Sequence, residues 1–142
     1  MSGFLLDTNV ISEFTRPQPD RNVARWVGAS DESILFLSVL TLGEIRNGVE
    51  RLRLGRRRGQ LERWLQADLR TRFRGRILPI DDEIADRWGG LAAHAASRGK
   101  PLPVVDGLLA ATALHYNLVL VTRNTSDISV TGVATLNPWT EA

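Results

Sequence analysis

Short runs of consecutive apolar residues alternate along this chain with longer segments whose apolar residues recur at helical spacing. The runs cover residues 4–6, 34–37, 77–80, 118–121 and, near the end, 133–136. The helical segments are 8–14, the stretch capped by Asp20, 42–52, 61–75, 84–99 and 104–115. Strands that alternate with helices pair in parallel and are covered on both faces. We therefore predict an α/β fold, an α/β/α sandwich with a mainly parallel central sheet.

The size and composition of the chain fit one globular unit. Its 142 residues are 43% hydrophobic and 24% charged, so we expect a single domain over residues 1–142. No stretch approaches the roughly 20 apolar residues of a membrane span, and the start lacks the features of a secretion signal. With no cysteine, and with His94 and His115 as its two histidines, the chain fits a cytoplasmic protein without a thiolate or histidine-rich metal site.

Positive charge is concentrated in the middle of the chain. Residues 46–76 carry 11 basic and 3 acidic side chains, a net charge of +8, whereas the segments before and after each carry −3. Seventeen of the 18 basic residues are arginines, whose planar group pairs well with phosphate. Arg56, Arg57 and Arg58 at its centre could be a solvated helix face or could bind an anionic partner.

Four acidic residues follow strands or lie at the start of helices, where ligands collect in open α/β sheets: Asp7, Glu44, Asp106 and Asp127. Each has an ordinary explanation of its own. Asp7 can cap a helix, Asp106 can favour a helix dipole, and Asp127 lies in a polar loop where aspartate forms turns. Glu44 has no basic neighbour three or four residues away, although a solvated surface glutamate would need none.

The four acids together predict a metal site. A carboxylate in the apolar helix around Asp106 should be nearly buried, so we expect a cationic group close to it. Oxygen ligands without histidine or cysteine favour Mg²⁺ or Mn²⁺ over zinc. Such ions bind phosphate oxygens and lower the pKa of water, so the hypothesis is metal-dependent phosphodiester hydrolysis.

The chain resembles the PIN-domain ribonucleases, and within them the VapC-type toxins of toxin–antitoxin pairs, over nearly its whole length. The resemblance rests on segments 6–9, 41–48, 105–111 and 122–127, and on the tail at 137–139. It implies that RNA is cleaved internally to leave a 5′-phosphate, that a small antitoxin binds the protein and operator DNA, and that the protein is a homodimer. The implied metal-site acids are those four residues, with supporting polar groups at Thr8, Asn9, Thr122 and Asn124.

Within this resemblance we expect Asp7 and Asp106 to be the main metal ligands, Glu44 to bind metal or orient the attacking water, and Asp127 to complete the site. Three residues depart from the family pattern. Gly107 and Leu109 stand where Ala or Ile is more usual, and Ile128 stands where an aromatic residue usually follows the last acid.

RNA would be held by the basic segment, and we name Arg56, Arg57, Arg58 and Arg123 as candidate phosphate contacts. Aromatic and leucine residues of the helices could serve the core or an interface, and we expect the core: Trp26, Trp64, Leu61 and Leu65. This chain lacks residues that three other classes of protein require: an aspartyl-phosphate enzyme, a dinucleotide-binding fold and a phospho-receiver. The remaining alternative is a catalytically silent module that binds RNA or the antitoxin.

Overall fold

The computed structural model describes residues 2–140 and contains a five-stranded sheet. The strands are β1 (Phe4–Leu6), β2 (Leu35–Ser38), β3 (Ile77–Leu78), β4 (Val119–Val121) and β5 (Thr135–Leu136). They lie in the order β3-β2-β1-β4-β5, and every neighbouring pair is parallel. The mainly parallel sheet predicted from the apolar runs is therefore confirmed.

Helices make the connections between the parallel strands. They are α1 (Thr8–Glu13), α2 (Arg21–Ala29), α3 (Val39–Glu50), α4 (Arg56–Arg63), α5 (Arg70–Arg72), α6 (Asp82–Ser97), α7 (Val104–Tyr116) and α8 (Thr125–Ile128). A π-helical segment, Trp64–Leu69, joins α4 to α5, and 3-10 turns cover Glu32–Ile34 and Ser129–Thr131. Among these helices, none is both long and apolar enough to cross a membrane.

The sheet separates two apolar cores. Leu6 and Val121 belong to a core that also contains Leu69 of the π-helical segment, whereas Leu5 and Leu120 belong to a core with Leu109 of α7. Successive residues of a strand point to opposite faces, so β1, β2, β3 and β4 each contribute to both cores. This arrangement confirms the α/β/α sandwich.

The strand order reverses direction at the centre of the sheet. From β1 the chain proceeds outward to β2 and β3, and it then returns to place β4 on the other side of β1. In open α/β sheets, ligands bind outside the carboxyl ends of the strands at such a switch point. Asp7 and Thr122 directly follow the two strands that flank this point, and the amide of Asp7 donates to the carbonyl of Val121 at 2.9 Å.

Several predicted boundaries are wrong by a few residues. The third strand ends at Leu78, because Pro79 has no N–H to continue a ladder. The basic helix ends at Arg72 rather than Gly75, and it includes the π-helical turn that apolar spacing did not indicate. Asp127, predicted in an irregular loop, lies in the short helix α8.

Candidate active site

The carboxylate of Asp7 is fixed by two short hydrogen bonds. The Thr8 amide donates to Oδ1 and the buried Thr122 hydroxyl donates to Oδ2, each at 2.7 Å. Asp7 therefore does cap α1, as the ordinary explanation required. A carboxylate has about four acceptor positions, so both oxygens keep capacity for another partner. Burial raises the pKa of Asp7, and the bonds from Thr122 and Thr8 oppose that shift.

Glu44 is held from a different element of the fold. It lies in α3 with an exposed side chain, and the Thr8 hydroxyl donates to its Oε1 at 2.5 Å. The Thr8 oxygen also lies 3.2 Å from the hydroxyl of Thr41, which is fully buried. Thr8 thus links the first turn of α1 to α3. Thr41 was not among the predicted site residues, although its position three residues before Glu44 puts both on one helix face.

Asp106 lies in the first turn of α7 and is half-buried. Its pKa is raised first by burial and then by the negative charges of Asp7, Glu44 and Asp127. The fold therefore brings the three other predicted acids within electrostatic reach of Asp106. Within residues 2–140, no basic side chain forms an ion pair with any of the four. The cationic group expected close to Asp106 is therefore not a basic residue of the described part of the chain.

The loop after β4 supplies the remaining predicted groups. Asn124 is the N-cap of α8, and its amide donates to Thr122 Oγ1 at 3.0 Å. The Asn9 side-chain amide lies 3.5 Å from the same hydroxyl, and Asn9 Oδ1 is buried with no hydrogen-bond partner in the described part of the chain. Asp127 is exposed in α8, while the next residue, Ile128, is buried in the core. Ile128, which departs from the family pattern, is therefore a packing residue that anchors α8.

The donor set of this cleft consists of oxygen atoms. Within residues 2–140, no three acidic or histidine side chains are already arranged as ligands of one metal ion. The negative charges of Asp7, Glu44 and Asp127 instead raise the pKa of Asp106, and a bound cation would relieve this repulsion. Hard oxygen donors without sulfur or imidazole suit Mg²⁺ or Mn²⁺. The site is accordingly an open acidic cluster and not a closed cage of ligands. Its oxygen donors fit a divalent cation.

The three central arginines have different surroundings. Arg58 forms ion pairs with Glu50 and Glu62, each at 2.7 Å, and it also donates to the carbonyl of Leu52. Arg57 donates to the carbonyl of Thr15 at 2.8 Å. Arg56 is exposed and has no partner among the described residues. Arg58 therefore ties α3 to α4, and Arg56 is the one most available to a phosphate.

Arg123 follows Thr122 in the site loop and is exposed. Its guanidinium carbon lies 5.0 Å from the centre of the Trp139 ring, a cation–π contact. The carbonyl of Trp139 in turn accepts a 2.6 Å hydrogen bond from the side chain of Asn22 in α2. The tail residue therefore holds Arg123 beside the acidic cleft.

A groove of about 270 Å³ is lined by residues of α1, α3, α4 and the π-helical segment. Thr8 and Glu44 of the site line it, as do Leu61 and Trp64. The prediction that both belong to the core is only partly right: Trp64 packs against it, whereas Leu61 is half-buried and is not among the residues of either core. Leu65 is a core residue, and Trp26 packs on that core in edge contact with Phe4.

Comparisons with known proteins agree with this geometry. The family model described as "PIN domain" matches residues 4–132. The chain is 38% identical over 135 residues to Toxin FitB of Neisseria gonorrhoeae, covering 95% of this chain and 97% of that protein. It is 36% identical over 138 residues to VapC ribonuclease Y4jK of Sinorhizobium fredii, covering 97% and 99%.

Solved structures show the same similarity. The crystal structure of FitAcB from Neisseria gonorrhoeae has a TM-score of 0.91 and 38% identity, covering 96% of this chain and 99% of that chain. FitAB bound to the IR36 DNA fragment has a TM-score of 0.90 and 37% identity, covering 96% and 95%. VapBC-1 from nontypeable Haemophilus influenzae shares the fold, with a TM-score of 0.78 at 23% identity and coverage of 97% and 98%.

Proposed function

Because this chain belongs to the PIN-domain family, we propose that it is an endoribonuclease that uses Mg²⁺ or Mn²⁺ and acts in the cytoplasm as the toxin of a toxin–antitoxin pair. The whole chain, residues 1–142, would form a single nuclease domain. The observation that carries this proposal is the Asp106 carboxyl, which has three acidic neighbours and no basic partner among the described residues. Relatives named as a ribonuclease and as a toxin support the substrate class and the role.

The carboxylates would have different roles, because their burial and hydrogen bonds differ. Asp7 and Asp106, the more buried pair, would hold the cation, and Asp127 would complete the site from α8. When bound, the cation supplies positive charge to the scissile phosphate and lowers the pKa of a nearby water. Thr122 keeps Asp7 oriented, since its hydroxyl donates to one oxygen of that carboxylate.

Glu44 would orient the attacking water and accept its proton. The Thr8 hydroxyl holds one of its oxygens, so the other remains to contact the water. The water oxygen bonds to phosphorus, and the bond to the 3′ oxygen breaks. The products are then a 5′-phosphate and a 3′ oxygen that takes up a proton. Because Glu44 is exposed, RNA can approach it without a movement of the core.

RNA would be positioned by two exposed arginines, Arg56 and Arg123. Arg56 begins α4 and is exposed without a partner in the described part of the chain, while Arg123 is held by Trp139 next to Thr122. Phosphate contacts of this kind bind RNA regardless of its sequence. Base selection would then depend on other parts of the surface.

The test is cleavage of RNA by the purified protein, with and without Mn²⁺ and with a chelator. We expect cleavage that requires the metal, and we expect Asp7→Asn and Asp106→Asn to abolish it while the circular dichroism spectrum is unchanged. Asp86→Asn is the matched control, because this exposed acid of α6 does not contribute to the electrostatic surroundings of Asp106. Sequencing of RNA 5′ ends after brief expression would identify the target.

Two results would contradict this proposal. Cleavage by either site variant at the wild-type rate would show that the assigned acids are not the active site. RNA binding without any metal-dependent cleavage, together with no heat of Mn²⁺ binding at millimolar concentration, would favour the alternative of a silent binding module. The groove and Arg56 could serve that alternative equally well.

We further propose that the protein binds a small antitoxin, which in turn binds operator DNA, and that the protein is a homodimer. FitAB bound to a DNA fragment supports this, since that structure resembles the chain over 96% of its length. Thr8 and Glu44 line the groove, so a tail lying in it would contact the acidic site. Light scattering of the protein, alone and with the neighbouring gene product, should give a dimer and a larger complex, and monomers in both samples would refute this.

A further inference from the structure

Helices α6 and α7 touch closely one residue after Asp106. A Cβ atom added to Gly107 would lie 2.8 Å from Trp88 Cδ1 and 2.9 Å from Trp88 Nε1, and 3.7 Å from Leu102 Cδ1. Distances under about 3 Å between such atoms are repulsive, so the indole ring occupies the space that a side chain at 107 would need. This contact explains the departure at Gly107, because the residue must be small where the ring of Trp88 meets the helix backbone.

The first turn of α7 has few other restraints. Its N-cap residue, Pro103, makes no side-chain capping bond, and residues 101–103 before it have no regular secondary structure. Val104 is 57% exposed. Asp106 itself forms no ion pair with any residue in 2–140. The position of this turn therefore comes from packing, of Val105 against the core and of Gly107 against the ring of Trp88 in α6.

The indole of Trp88 is placed by its shape and not by a hydrogen bond. Trp88 Nε1 is buried and has no hydrogen-bond partner in the described residues. An unsatisfied buried donor costs stability, and Phe or Leu would fill an apolar site without that cost. The wide ring at this position is consequently explained by the surface that it offers to Gly107.

We propose that Trp88 is a positioning residue for the acidic site, and that its ring sets the place of Asp106 relative to Asp7 by fixing the first turn of α7 on α6. This inference rests on the proposed function, because it assigns a role in binding the cation. Residues that orient metal ligands without touching the metal typically change metal affinity by about 10- to 100-fold when they are altered. The contact between Trp88 and Gly107 should have an effect of that size.

The experiment is calorimetric titration of Mn²⁺ into the full-length protein, with the melting temperature recorded for each variant. Gly107→Ala should raise the Kd for Mn²⁺ at least about tenfold, since the added methyl displaces either the ring or the helix turn. Trp88→Leu should also raise it. In the double variant the shorter side chain leaves room for the methyl, so its loss of affinity should be smaller than the product of the two single losses.

Two controls separate positioning from general stability. Gly90→Ala changes a glycine of α6 whose Cβ would meet nothing within 4 Å, and it should leave the Kd unchanged. Ala113→Gly removes a buried methyl two turns along α7, and it should lower the melting temperature without changing the Kd. Both controls keep every residue near Asp106.

The outcomes are distinct. Wild-type Kd in Gly107→Ala, or a double variant whose loss equals the product of the single losses, would overturn the positioning role and leave the proposed function standing. A rise in Kd in Ala113→Gly that matches the fall in melting temperature would also overturn it, because affinity would then only report stability. Wild-type protein that binds no Mn²⁺ would overturn the proposed function and this inference together.

Discussion

The hydrogen bond from Thr122 to Asp7 offers the sharpest test of how the site is built. Thr122 is fully buried, and its hydroxyl donates to Asp7 Oδ2 at 2.7 Å while accepting the Asn124 amide at 3.0 Å. Thr122→Val keeps the shape of the side chain and removes both bonds. Asp7 keeps only the bond from the Thr8 amide, and its orientation is less restricted.

The expected magnitude follows from the charge on Asp7. A hydrogen bond to a charged group contributes about 1.5–3 kcal/mol, whereas the amide of exposed Asn124 can bond to water instead. We therefore expect Thr122→Val to lower the free energy of unfolding by about 2–3 kcal/mol at pH 7.5, roughly 30- to 150-fold in the folding equilibrium. Because the Thr122 bond lowers the pKa of Asp7, its loss should raise that pKa further and move the acid limb of the pH–activity profile to higher pH.

Urea unfolding without metal, followed by the pH profile of RNA cleavage, would measure both effects. Thr122→Ser keeps the hydroxyl and should lose only about 1 kcal/mol with an unshifted profile. Thr112→Val is the matched control, since this buried threonine of α7 donates only to the carbonyl of Leu108 in its own helix. Equal losses in Thr122→Val and Thr112→Val, with identical pH profiles, would refute the argument that Thr122 supports the charge of Asp7.

Two further predictions concern charge elsewhere in the protein. The pKa of Asp106 is raised above 3.8 in the fold, so without metal its ionisation destabilises the protein as pH rises through that raised pKa, and this cost is absent below 3.8. Asp106→Asn should therefore raise the metal-free melting temperature more at pH 8 than at pH 4, and equal shifts at both pH values would contradict this. Arg56→Ala should flatten the salt dependence of RNA binding by up to about 0.7 in log–log slope without changing the melting temperature. Arg58→Ala, which loses the pairs with Glu50 and Glu62, should lower the melting temperature and leave the salt dependence of RNA binding unchanged. Melting curves and binding titrations at several salt concentrations would check both variants.

The sequence was sufficient to predict the sheet and the set of acids. Runs such as 4–6 and 118–121 are apolar at every position and too short for a helix, which is typical of a strand buried on both faces, and the helices between them follow from apolar spacing. Asp7, Asp106 and Asp127 were identifiable because they follow strands or begin helices, and the ends of parallel strands meet at one edge of the sheet. Local pattern and general topology carry these inferences.

Only the tertiary structure decided which partners the predicted side chains have. Arg58 looked equivalent to Arg56 in sequence, yet its ion pair with Glu50 depends on how α3 and α4 pack. Likewise, Gly107 departs from the expected pattern because the ring of Trp88, 19 residues earlier in the chain, occupies the space of a side chain at 107. The acidic surroundings of Asp106 come from Asp7, Glu44 and Asp127, which lie in three other parts of the chain. Spacing along a chain defines which face of a helix or strand a residue occupies. The energy of a charge or a methyl group depends instead on its distances to atoms that folding brings close, and no local pattern contains those distances.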